Sequence, residues 1–173
     1  MNEVDFLARQ TENVYEWTNK LIEFVPFNKW DVTPDVLETN ITWQAGHLIM
    51  STYFHTVMVI VGHQKDVFEK IPLKQYDNIF TNGRPVDAKG MIDPAIILDQ
   101  LKFLQHKSLE IIKSVNPEQL HSALEPTRIP HPIAKTKFES LDWNIKHTMY
   151  HCGQIGLLKR VVDERYDFGL RKQ

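Results

Sequence analysis

Four stretches of the chain repeat apolar residues at intervals of three and four, and stretches bearing proline and glycine separate them. That period is the signature of an α-helix with one buried face. In the first stretch, about Asn2 to Val25, the recurring residues are Leu7, Val14, Trp17, Leu21 and Phe24, and Pro26 is the expected stop. The second runs from about Asn40 to Gly62, with Thr39 or Asn40 as its N-cap. The third opens on Asp93-Pro94, a cap followed by proline at the first helical position, and continues through Ile97, Leu101, Leu104, Ile111 and Val115. The fourth opens on Thr136-Lys-Phe-Glu139, a capping-box pattern, and is expected to reach about Tyr166. No alternating strand pattern of useful length competes with these.

Helices of ~20–30 residues are ~30–45 Å long, which suits a bundle. The expectation is therefore an all-α four-helix bundle, one domain over residues 1–173, with long connections between helices 1 and 2, 2 and 3, and 3 and 4. Residues 63–92 are rich in turn formers, among them Pro72, Asn82-Gly83, Pro85 and Gly90. Asn116-Pro117-Glu118 predicts a short extra helix, and the link through Pro126, Pro130 and Pro132 reads as extended.

With 173 residues the chain is long enough to bury an ordinary core. A net charge of −2 and an isoelectric point near 6.4 argue against general nucleic-acid binding, which needs a concentrated basic surface. The single cysteine, Cys152, excludes an internal disulfide and fits a reducing compartment. The first residues carry no basic-then-apolar leader pattern, and the apolar region from Ile41 to Val61 is too polar for a membrane span. The expected location is cytoplasmic, with no membrane partner.

Placing the histidines on their helices at about 100° per residue is the informative step. His47 falls in the middle of an apolar stripe made by Trp43, Met50, Phe54, Met58 and Val61. His55 falls about 80° round and about 12 Å further along, outside any site that His47 could form. On the fourth helix His147 and His151 occupy adjacent turns of one largely apolar face, shared with Trp143, Asn144, Gln154, Ile155 and Leu158. Histidines four apart can offer two imidazole nitrogens to one metal ion, as in zinc-binding helices, although no glutamate stands here in a general-base position. With eight histidines in the chain the spacing also arises readily by chance, and core histidines satisfied by other polar groups are the alternative. A bundle site takes ligands from facing helices, so the pair and His47 support one another.

Trp43-Gln-Ala-Gly-His47-Leu, followed downstream by His147-Thr-Met-Tyr-His151-Cys-Gly-Gln154-Ile, resembles the DinB/YfiT-like family of metal-binding four-helix bundles. The resemblance extends over essentially the whole chain in helix order and spacing. It implies that His47, His147 and His151 bind one divalent transition metal, zinc or nickel foremost, with iron or manganese as alternatives. It also implies thiol chemistry, since some members resemble S-transferases that use a low-molecular-weight thiol and others thiol-dependent isomerases, while many have no assigned activity. Separately, three histidines leave a coordination position open, so the expected reaction is metal-activated attack by thiol or water on a small electrophile, of the thiol S-transferase or hydrolase type. The alternative is a non-catalytic metal-binding or stress-related bundle that works through protein–protein contacts. No catalytic side chain is identified.

Gln154, Asn144, Trp43 and Tyr150 are the expected neighbours of the metal or its pocket, each with a bland core role as the alternative. Cys152 faces away from His147 and reads as a small buried residue, while His121 and His131 fall in links, where surface roles are the default. Apolar residues on the opposite sides of helix 2 (Ile41, Ala45, Ile49, Val59, Ile60) and helix 4 (Ile145, Met149, Cys152) need a second cover, either the long links or a homodimer. A dimer is expected.

Overall fold

The computed structural model describes residues 2–169. Helix starts lie where capping chemistry puts them. Helix α1, Glu3–Glu23, is opened by a capping box between Asn2 and Asp5. Asn40 caps the second long helix, its side chain accepting from the Trp43 amide. Asp93 caps Pro94–Ser114, with Pro94 in the first turn, and Thr136 and Glu139 form the box that opens Lys137–Val162. Each cap satisfies backbone donors that a helix start leaves without intrahelical partners.

The second long helix, α2, is not uniform. It begins as Ile41–Thr52, winds through a π-helical segment Tyr53–Met58, and closes with Val59–Val61 before Gly62 turns the chain at φ 79°. The wider turn disturbs the ordinary ladder of backbone bonds. Here the His55 carbonyl accepts from the buried Ser140 hydroxyl at 2.8 Å, a tie to the last helix. Beyond α2, the turn-rich stretch 63–92 is more ordered than its composition predicts. It contains α3 (Lys65–Lys70), α4 (Leu73–Tyr76) running into a π-helical turn Asp77–Thr81, and a 3₁₀ turn Pro85–Ala88. The remaining long helices are α5 (Pro94–Ser114) and α6 (Lys137–Val162), with the expected short turn at Pro117–Gln119 between them.

Contacts run around a ring, α1 to α6 to α2 to α5 and back to α1, as in a four-helix bundle. Leu7, Ile22, Leu101, Leu104, Ile155 and Leu158 fill its interior. No strand occurs among the described residues, only an isolated bridge between Ala123 and Thr136. Among the described residues no helix is long and apolar enough to cross a membrane.

One boundary is corrected: the last helix stops at Val162 rather than near Tyr166. Asp163 breaks it, paired with Lys159 and Lys29, and the following chain folds back so that Tyr166 packs on Phe24 and Phe168 on Trp17. Of the two covers expected, the links or a homodimer, one side of α2 finds its cover within the chain: Ile41, Ala45, Ile49, Val59 and Ile60 are fully buried there. Helix α5 and the second link both pack on α2, and Phe80, in that link, lies against Gly46 so closely that a Cβ there would lie 2.5 Å from its ring.

A candidate metal centre of three histidines

The α-helical half of α2 and the uninterrupted α6 carry His47, His147 and His151 to one place. Their potential ligand nitrogens lie within 4.8 Å of one another. Ring centroids are 4.7 Å apart for His47 and His151, 5.4 Å for His47 and His147, and 4.5 Å for His147 and His151. His151 is buried and the other two are partly buried.

Hydrogen bonds on the far side of two rings decide which nitrogen faces inward. His47 Nδ1 lies 2.8 Å from the Phe80 carbonyl, which only accepts, so Nδ1 carries the proton and Nε2 is left with a lone pair. His151 Nδ1 lies 2.6 Å from Gln44 Oε1 and donates to it, so its Nε2 is again unprotonated. Gln44 is itself held, its amide donating to Gln154 Oε1 at 2.7 Å and Thr39 Oγ1 at 3.0 Å. His147 Nε2 lies 3.2 Å from His151 Nε2, and its Nδ1 is buried without a partner among the described residues. Without an ion its Nε2–H donates to the free His151 Nε2, and of the three rings it alone is oriented by no partner outside the cluster.

Burial favours the uncharged form of each ring. It holds His47 below the ordinary histidine range against a smaller opposing effect of the Phe80 carbonyl. His147 falls to about 4 through burial and then the nearby His47, and His151 to about 3 through burial, His47 and His147. Neutral imidazoles with inward lone pairs are the state in which histidine ligates a metal. The 3.2 Å between two Nε2 atoms also suits it, since tetrahedral bonds of about 2.05 Å place two ligand atoms about 3.3 Å apart. The donor set therefore fits a divalent transition metal.

The other expected neighbours take different places. Trp43 stacks on His47 at 4.8 Å and 11°, with its indole N–H donating to the Gly83 carbonyl. Trp143 lies similarly along His147, and Tyr150, 65% exposed, meets His151 edge-on at the rim. Gln154 acts at one remove, through Gln44. Asn144 is buried and donates to the Tyr15 hydroxyl, away from the three rings. Cys152 is buried, unpaired, and has its thiol pushed up by burial.

Two histidines contradict their sequence reading. His55 reaches the site after all: its buried ring lies 5.7 Å from that of His147. A π turn advances fewer degrees per residue than an α turn, so Tyr53–Met58 carries His55 round towards α6. His131, read as a surface residue of the proline-rich link, is partly buried, stacks on Phe54 at 5.3 Å, and places Nε2 2.8 Å from His55 Nδ1. Gln44 and Phe80 were not singled out either. Gln44 had a signal, since it stands within the quoted motif one turn before His47. Phe80 contributes a backbone carbonyl, which no residue type announces.

A family model described as the DinB superfamily matches residues 10–155. Among curated proteins, none matches the chain at a significant level.

Proposed function

Because this chain belongs to the DinB superfamily, we propose that its three-histidine centre binds one divalent transition metal and serves a metal-dependent enzyme acting on a small electrophile. The observation that carries the reading is the pair of outer hydrogen bonds, from His47 to Phe80 and from His151 to Gln44, which aim two unprotonated Nε2 atoms at one point. Such outer partners fix ring orientation at metal sites. Free nitrogens turned towards one point are what a ligand set needs, and a purely structural histidine does not need them.

A divalent ion on three neutral imidazoles keeps an open position and lowers the pKa of a thiol or water placed there. The chain's own contribution is orientation and exclusion. Trp43 and Trp143 wall two of the rings with apolar surface, and Tyr150 stands at the solvent side. No carboxylate belongs to the cluster among the described residues. A reaction that brings its own ionisable nucleophile, as a low-molecular-weight thiol does, suits this site better than one needing a protein base. Thiol S-transfer is therefore the leading reaction class and hydrolysis the second. Zinc and nickel both suit three imidazoles, with iron and manganese behind them.

The reducing compartment that keeps such a thiol available is consistent with a lone, unpaired cysteine, and we place the protein in the cytoplasm. A homodimer would use the apolar surface the chain leaves open on α6, where Met149 and Leu157 are 44% and 52% exposed beside a groove of about 530 Å³. A monomer mass in light scattering at micromolar concentration would exclude it.

The deciding experiment is elemental analysis of protein purified without a metal-binding tag. About one transition-metal ion per chain is expected from the one three-histidine cluster among the described residues. His147→Ala should lose it, by more than the roughly 100-fold in affinity that an outer partner commands. Metal-depleted protein should be inactive in thiol-transfer assays and recover on metal addition. Full activity after complete metal removal would refute the enzyme reading. A loaded ion with no exchangeable ligand would leave the non-catalytic, protein-contact reading in its place.

A further inference from the structure

The His131–His55 pair is directional. Two backbone amides, Ile133 at 3.2 Å and Ala134 at 2.8 Å, donate to His131 Nδ1. A nitrogen that accepts from amides carries no proton, so neutral His131 holds its proton on Nε2. That N–H points at His55 Nδ1, 2.8 Å away. His55 Nδ1 therefore accepts, and neutral His55 carries its proton on Nε2. This is the reverse of the tautomer at His47 and His151, where Nδ1 is protonated and Nε2 is free to ligate. It also excludes the simplest alternative, a second metal between His55 and His131, because each facing nitrogen is already committed to the bond between them.

The assembly is firmly seated. Glu125 N donates to the Val59 carbonyl at 2.9 Å and Lys137 Nζ to the Ile60 carbonyl at 2.7 Å, so both ends of the link carrying His131 are tied to the end of α2. Phe54 stacks on His131 and Ser140 holds the His55 carbonyl. The His55 ring stands 5.7 Å from His147 at 72°. Its Nε2 has no hydrogen-bond partner among the described residues, and it is not among the buried side-chain atoms closed off from solvent.

We propose that His55 is a fixed hydrogen-bond donor beside the three-histidine centre, held in its Nε2–H form by the positioning residue His131, and that it binds a carboxylate-type oxygen of the ligand. The ligand-binding half of this inference rests on the metal-centre reading above; the tautomer half does not. A donor locked in this way cannot turn to ligate the ion or accept a proton without breaking the bond to His131. It selects ligands with an oxygen acceptor over purely apolar electrophiles of the same size.

The test has two arms. In ¹⁵N-labelled, metal-free protein, long-range ¹H–¹⁵N spectra should show both His55 and His131 as Nε2–H tautomers, and His131→Ala should convert His55 to a mixture. An Nδ1–H pattern for His55 in the wild type overturns the proposal. In zinc-loaded protein, acetate is titrated as the probe. His55→Phe should retain one zinc and bind acetate about ten-fold more weakly, the scale of one hydrogen bond to a charged acceptor. His55→Gln, which keeps an N–H, should bind within about three-fold of wild type. Unchanged acetate affinity in His55→Phe overturns the proposal. So does loss of zinc from a folded His55→Phe, which would make His55 a ligand. A wild type that takes up no zinc defeats the metal-centre reading, while the tautomer spectra still decide the His131–His55 lock.

Discussion

Two of the polar clusters inside this bundle are built on opposite terms. In the cluster between α1, α5 and α6, Asn144 donates to Tyr15, the Tyr15 hydroxyl pairs with Ser108 at 3.0 Å, and Ser108 donates to the Gln105 carbonyl. Asn19 and Gln105 exchange amide bonds in both directions. The groups of this chain of bonds answer one another, while the Asn144 carbonyl oxygen and the hydroxyls of Thr11 and Thr148, one turn away on the same helices, have no partner among the described residues. In the histidine cluster each outward nitrogen of His47 and His151 is answered, but the inward ones meet only each other and His147. Buried polar groups cost stability when unpaired, so a closed network reads as structure, and a network closed on one side only reads as a site.

Acid separates the two clusters most strongly. His55, His147 and His151 sit at about 3, about 4 and about 3 in the folded chain, against an ordinary histidine value near 6.5. A depressed histidine contributes stability that is complete above the unfolded value and is lost as pH falls towards the folded one, because the unfolded chain takes up protons first. Metal-free protein should therefore lose about 2–4 kcal/mol between pH 7 and pH 5 in denaturant titrations, at up to 1.36 kcal/mol per group and pH unit. Replacing His151 with glutamine should remove part of that slope. The Tyr15 network, which holds no group titrating in this range, should contribute none of it.

Gln44→Leu comes next. It leaves the His151 N–H unanswered and frees that ring to turn, so metal affinity should fall by about 10–100-fold in a competition titration with a chelating dye. Unchanged affinity would mean that the outer bond is incidental, and the contrast between the clusters would lose its basis. Gly46→Ala should act on the same centre from behind. Its added Cβ displaces the Phe80 ring and with it the carbonyl that orients His47, with a destabilisation of about 1–3 kcal/mol read from thermal unfolding. The smallest effect is expected from Tyr15→Phe, about 1 kcal/mol of stability at full metal content. If Tyr15→Phe released metal, the two clusters would have to be treated as one.

What was legible in the sequence was whatever depends on neighbours along the chain. Asn40, Asp93-Pro94 and Thr136 with Glu139 marked helix starts because a cap acts within four residues. His47, His147 and His151 were found because Ile41–Thr52 and Lys137–Val162 keep the ordinary α period. His55 was missed where that period fails, since an α-helical wheel projects every residue after Tyr53 in the wrong direction. His131 was missed because its contacts come from α2, 76 residues earlier, and a proline-rich link carries no period to project. The cover of α2 was legible only as a need. Whether the links or a second chain met it depended on Phe80, whose fit against Gly46 no local pattern announces.

The π-helical turn makes α2 a helix with two independent addresses. Residues before Tyr53 obey one rotational phase and aim His47 with its lone pair inward. Residues after it obey another and present His55 with the opposite tautomer. Shortening that turn by one residue would re-aim the second address and leave the first untouched. One helix can thus vary what surrounds an ion without disturbing what holds it.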